Sequence, residues 1–157
     1  MSDSSKLSAT VAGYVDTLLK TSTPDGGFAD GTAPGGEFGD YTFDILNEYN
    51  PDLLEAVEEK MRGAQALIAR CEKFITEHAD LIDRALEDGT YSGYFDIGSD
   101  LLLSQHRHGT GFWDRGLGEI GTSLTEAAHA FPENVSIWVL PEGSTVAAAT
   151  DIAYEES

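Results

Sequence analysis

Two histidines, two arginines and a lone aspartate fall within the short segment SQHRHGTGFWDRG, from Ser104 to Gly116. Those residue types admit three readings. The first is a metal centre. His106 and His108 are two apart and share a face if the segment is extended, and Asp114 adds a carboxylate, a donor set that suits zinc or iron. A working site needs a further ligand in register, and His78 and His129 lie well away in sequence, so no metal and no cofactor is expected. The second is nucleophilic hydrolysis, since Ser104, His106, His108 and Asp114 are the types a triad uses. The chain has no G-x-S-x-G elbow, and its single Cys71 falls inside a helical pattern, so no catalytic residue is assigned. The third reading is architectural. Gly109 and Gly111 permit positive φ at a hairpin tip, Phe112 and Trp113 point to opposite faces with one ring in the core, and Asp114 and Arg115 pair or cap backbone. On this reading His108, Gly109, Gly111, Phe112, Trp113, Asp114 and Arg115 hold the fold together. A small enzyme centred on His108, Asp114 and Arg115 is the alternative.

The elements expected to carry this segment follow from hydrophobic spacing. Residues 1–6 read as a frayed end. Ser8 to Thr21 has Val11, Val15, Leu18 and Leu19 at helical spacing. Residues 23–40, TPDGGFADGTAPGGEFGD, form an acidic Gly-rich loop, which Phe28 and Phe38 would pin to the body. Asn50-Pro51 opens the clearest helix. Its stripe is Leu54, Val57, Met61, Ala64, Ile68, Cys71, Ile75, His78 and Ile82, with a break expected near Gly63 or Asp80. His78 is expected to be partly buried near its end. Phe95 to His106 has strand character, HRHGTG is the expected hairpin tip, and Gly111 to Asp114 begins the return. Ser123-Leu-Thr-Glu126 reads as a capping box before a short helix that presents Leu124, Ala127, Ala128 and Phe131. Val135 to Leu140 alternates as a strand and Thr145 to Ala149 returns. Residues 150–157 form an acidic tail. This order predicts one α+β domain over 1–157, with long helices packed on a small antiparallel sheet built from hairpins.

Charge is the outlier. Nine Lys and Arg face 28 Asp and Glu, a net charge of −19 over 157 residues, where a small soluble domain does well with a magnitude of roughly 2–8. The distribution is uneven. No basic residue lies between Lys20 and Lys60, while Asp25, Asp30, Glu37, Asp40, Asp44 and Glu48 lead a run of acids there. None follows Arg115, while Glu119, Glu126, Glu133, Glu142, Asp151, Glu155 and Glu156 do. Such a surface repels nucleic-acid phosphates, so direct nucleic-acid binding is not expected. The aliphatic runs are too short to span a bilayer, and MSDSSKLSAT lacks the apolar stretch of a signal peptide. One cysteine excludes an internal disulfide. A reducing compartment fits.

Residues 96–131, with RHGTGFWDRGLG at their centre, resemble an uncharacterised family of small acidic proteins of tailed bacteriophages. That family carries a stretch like DFWLTRNGHGAGFWDRGLG followed by a short helix. His108, Gly109 and the run from Gly111 through Gly118 match the motif, and Leu124, Thr125 and Ala128 match the helix. His106-Arg107 stands where the family pattern has Asn-Gly, and Gln105 where it has Arg, which weakens the His-x-His metal reading further. The resemblance implies phage origin and action in the cytoplasm of an infected host cell; it brings no reaction. With the charge, it leads to the expectation of a protein that binds and inhibits or diverts a host protein. Asp25, Asp30, Glu37, Asp40, Asp44 and Glu48 would form the acidic face, set against a basic surface, with a nucleic-acid-binding host protein and DNA mimicry as the most specific form. A phage binding or assembly protein without mimicry is the competing expectation.

Overall fold

The computed structural model describes residues 3–21, 52–105, 111–131, 135–139 and 152–156. Among them are six α-helices: α1 (Asp3–Thr21), α2 (Leu53–Lys60), α3 (Ala64–Glu77), α4 (Ala79–Glu87), α5 (Tyr94–Gln105) and α6 (Glu119–His129). A single 3-10 turn, Phe112–Asp114, precedes α6. The expected α+β architecture is thereby overturned. The described body is helical apart from three short strands, and helices cover helices where a sheet was expected to lie. The strands among the described residues are short: β1 (Met61–Arg62), β2 (Val135–Val139) and β3 (Ile152–Glu156). They form a small mixed sheet in the order β1-β3-β2, with β1 parallel and β2 antiparallel to β3. The expected strand from Val135 is present. Its partner is Ile152–Glu156, running Val135 opposite Glu156 to Val139 opposite Ile152, while the expected return at 145–149 lies outside the described residues.

The decisive difference is α5. The segment read as a strand from Phe95 is a helix as far as Gln105, and almost every side of it is covered. Tyr94, Ile97, Gly98, Asp100, Leu101, Leu102, Ser104 and Gln105 are all buried. A helix buried all round shows no amphipathic period, and its leucines are good helix formers. Helix α1 is covered in the same way from Ala9 to Val15. The two central helices meet at a glycine-to-backbone contact. A Cβ on Gly13 would lie 1.8 Å from the Phe95 carbonyl oxygen, and one on Gly98 would lie 1.9 Å from that of Thr10. Only hydrogens at both positions allow the approach. Ser99 Oγ donates across it to the Gly13 carbonyl at 3.3 Å.

Helix α1 starts at Asp3, inside the segment expected to fray, and Lys6 Nζ sits 5.6 Å from the centre of the Tyr94 ring. The long helix expected from Asn50 is three helices, broken at Met61–Gly63 and at His78. Its buried stripe is shifted from the expected one. Val57, Ala64, Cys71 and Ile82 are buried as expected, but Leu53, Leu67, Phe74 and Ala85 fill the interior while Leu54, Ile68 and Ile75 are only partly covered. Phe74 explains the shift, since the largest ring of α3 takes the centre of the core. Helix α6 begins four residues before the expected cap at Ser123, and Leu124, Ala128 and Phe131 are buried as the spacing predicted.

Candidate functional site

Within the segment singled out from the sequence, the described part runs from Gly111. The expected return strand from Gly111 to Asp114 is instead the 3-10 turn, packed directly onto the end of α5. A Cβ on Gly111 would lie 2.4 Å from Ser104 Oγ, so only glycine lets the backbone come this close. The next amide, Phe112 N, donates to that same Ser104 Oγ at 3.2 Å. Ser104 is thus a buried backbone anchor, not a free nucleophile. Phe112 is fully buried and lies nearly parallel to Phe74, ring centres 5.6 Å apart, with Tyr91 edge-on at 6.2 Å. The turn closes on itself: Gly111 N donates to Asp114 Oδ1 at 3.0 Å. Phe112 and Trp113 do point apart, the former into the core and the latter 54% exposed.

Arg115 carries the charge chemistry. Its Nε donates to Asp100 Oδ2 at 2.8 Å and its Nη2 to Oδ1 at 2.7 Å, the bidentate fork that makes Arg–carboxylate pairs strong and directional. Asp100 is buried in the middle of α5, and Tyr91 Oη gives it a third hydrogen bond at 2.6 Å. A carboxylate in the interior is tolerated only when paired and hydrogen-bonded, and here one guanidinium and one phenol do both. The clasp ties the segment after the 3-10 turn to α5 and to the loop before it. Burial and the hydrogen bond to Asp100 hold the Tyr91 phenol well above its ordinary range. The hydrogen bond to Asp100 raises Arg115 as well, against the opposing effect of burial. Neither group exchanges a proton near neutral pH, so this pair offers no general base.

Thr90, Tyr91, Asp96, Ser99, Asp100 and Arg115 line a small depression of about 240 Å³ over the clasp. Asp96 Oδ2 is already engaged by Ser92 N at 2.9 Å and Ser92 Oγ at 2.7 Å. Cys71 is fully buried, and desolvation pushes its thiol up and away from thiolate character. His78 caps the end of α3, half-buried as expected, with its ring 5.4 Å from Phe74, and His129 lies in the last turn of α6. Among the described residues no group of three or more His, Cys, Asp or Glu is placed to hold a metal ion.

His106, His108 and Gly109 lie outside the described residues, as do Asp25, Asp30, Glu37, Asp40, Asp44 and Glu48. The structure brings together Gly111, Phe112, Asp114 and Arg115 and adds partners that the sequence reading missed, Tyr91, Asp100 and Ser104's anchoring role. A signal for Asp100 was present: one acid set between Ile97 and the Leu101–Leu103 run. If that segment is a buried helix, its carboxylate needs a cation. Gln105, which departs from the phage motif, is fully buried and accepts from Tyr14 Oη at 2.9 Å.

No family model, curated protein or solved structure matches the chain. Among the described residues no helix is long and apolar enough to cross a membrane.

Proposed function

We propose that this chain is an acidic binding protein that docks on a basic surface of another protein. The observation that carries the reading is the net charge of −19 with no basic residue between Lys20 and Lys60. Self-repulsion on that scale opposes compactness, and a partner of opposite sign relieves it. The arrangement around the clasp supports the same reading. Arg115 is committed to Asp100, and Asp114 to the Gly111 amide, so the charged groups of the motif serve the fold and the solvent-facing acids remain for association. Glu55, Glu58 and Glu59 on α2 and Asp80, Asp83 and Glu87 on α4 are exposed. These commitments favour binding over an enzyme centred on His108, Asp114 and Arg115.

The finer form of the proposal follows from the resemblance to the phage family. The protein acts in the cytoplasm of an infected host cell, where it inhibits or diverts a host protein, and a nucleic-acid-binding protein displaced by DNA mimicry is its most specific version. The test is affinity capture from host lysate at low and high salt, followed by association kinetics with the recovered partner. Attraction between exposed charges is screened over about 8 Å at physiological salt, so the association rate falls steeply as salt rises while dissociation changes little. Changing Asp25, Asp30, Glu37 and Asp40 together to their amides weakens binding and leaves folding intact. Salt-independent binding, with the neutralised protein binding like the parent, would overturn the proposal.

A further inference from the structure

We infer that Trp113 is the anchor at which this protein takes an arginine of a basic partner surface, the partner's guanidinium stacked on the indole face. The inference rests on the acidic-binding reading and adds to it a place and a chemistry.

Trp113 is the one large hydrophobic side chain exposed among the described residues, at 54%. A lone exposed apolar residue is ordinary; what sets this one apart is how firmly its backbone is held. On one side Phe112 is locked in the aromatic stack with Phe74 and Tyr91, and its amide is bonded to Ser104. On the other, Arg115 is clamped through two hydrogen bonds to a buried carboxylate. Across the residue itself, Gly111 N bonds to Asp114 Oδ1 and Asp114 N to the Gly111 carbonyl at 3.3 Å. The main chain at Trp113 is therefore fixed before any partner arrives. Only two side-chain torsions remain to be ordered, the low-entropy presentation that makes tryptophan effective as a binding anchor.

The electrostatics select the ligand. The cation nearest in sequence, Arg115, is neutralised by Asp100, and its Nε is also 3.9 Å from Asp114 Oδ1. Arg115 thus faces two carboxylates, Asp100 and Asp114, within a chain of charge −19. Among the described residues the cation beside Trp113 is already paired, and indole is the best aromatic face for an incoming one. Arginine is preferred to lysine because its guanidinium is planar, stacks on rings and is more weakly hydrated. A nucleic-acid base, the other group that stacks on exposed tryptophan, arrives with phosphates that the acidic surface repels.

The test is calorimetric titration of the full chain at low salt with hexa-arginine and, separately, hexa-lysine, using the parent, Trp113→Ala and Trp113→Phe. Because the ring is exposed, both variants fold, which thermal melting checks. Trp113→Ala weakens hexa-arginine binding by roughly two- to five-fold, Trp113→Phe recovers part of the loss, and hexa-lysine is affected less. If the parent binds hexa-arginine and Trp113→Ala binds it equally well, the anchor is refuted and the acidic-binding reading stands. An equal loss with hexa-lysine refutes the choice of arginine. If the parent binds neither peptide, the anchor and the acidic-binding reading fall together.

Discussion

Two ion pairs in this molecule show opposite uses of the same chemistry. Arg115 and Asp100 meet at 2.7 Å with the carboxylate 3% exposed, and Lys73 and Glu77 meet at 3.1 Å with both side chains about half exposed, at 55% and 51%. In the first, the Asp100 carboxylate is walled in by Tyr91, the 3-10 turn and α5, while Arg115 reaches it from a side chain still 36% exposed. Losing Arg115 strands Asp100 in the interior, a cost of roughly 3–5 kcal/mol. The second stands in water on one turn of α3, where such a pair contributes about 0.3–0.5 kcal/mol. Charge that is desolvated holds the fold; charge that is solvated leaves the fold almost untouched and stays available for a partner. A chain with 28 acids and nine bases has committed one of those few bases to a buried carboxylate, and among the described residues Glu55, Glu58, Glu59, Asp80, Asp83 and Glu87 fall in the second class.

That contrast can be broken at several points. The largest effect is expected from Phe112→Ala, which empties the aromatic stack beside the clasp and lowers unfolding stability by about 3–5 kcal/mol in urea titration. Arg115→Ala comes next, at about 3 kcal/mol or more, because Asp100 is left buried and unpaired by any cation. High pH gives a third handle. The Tyr91 phenol is raised in the folded state, so its contribution is fully present below the ordinary tyrosine value of about 10 and is lost as pH climbs above it. Above that value the parent loses up to about 1.4 kcal/mol per pH unit through this group. Tyr91→Phe removes that component, and the difference between the two melting-versus-pH curves isolates it from Cys71, which both proteins share. Trp113→Ala costs less than Phe112→Ala, about 1–2 kcal/mol, because its ring is 54% exposed. Lys73→Ala is smallest, at about 0.3–0.5 kcal/mol, and added salt erases most of it.

Sequence patterning was informative where one face of an element is wet. Helix α6 and its Leu124, Ala128 and Phe131 face follow from spacing. It failed where an element is buried all round. Helix α5 carries Ile97 and three consecutive leucines with Asp100 and Ser104 between polar-looking neighbours, and no period distinguishes it from a strand. The glycines depart from expectation for a related reason. Gly98 lets α5 touch α1, and Gly111 lets the backbone rest on Ser104 instead of forming a hairpin tip. GFWDRG predicts that Asp114 and Arg115 pair or cap neighbouring backbone; Asp114 does accept from the Gly111 amide, but Arg115's main partner is Asp100, fifteen residues upstream. Local sequence carries no sign of that pairing except the improbability of an unpaired buried acid. The acidic face assigned to Asp25 through Glu48 rests on charge alone and falls outside the described residues.

The most direct test of the division between buried and exposed charge is a double-mutant cycle on the clasp. Unfolding free energies from urea titration are compared for the parent, Asp100→Asn, Arg115→Gln and the double variant, each amide keeping the shape of the side chain it replaces. A desolvated, bidentate pair predicts a coupling energy of about 2 kcal/mol or more. Both single variants then lose stability while the double variant loses much less than their sum. A coupling within about 0.5 kcal/mol of zero, the value of an exposed pair, would contradict the account. It would mean that Arg115 is free in solution for chemistry or for a partner.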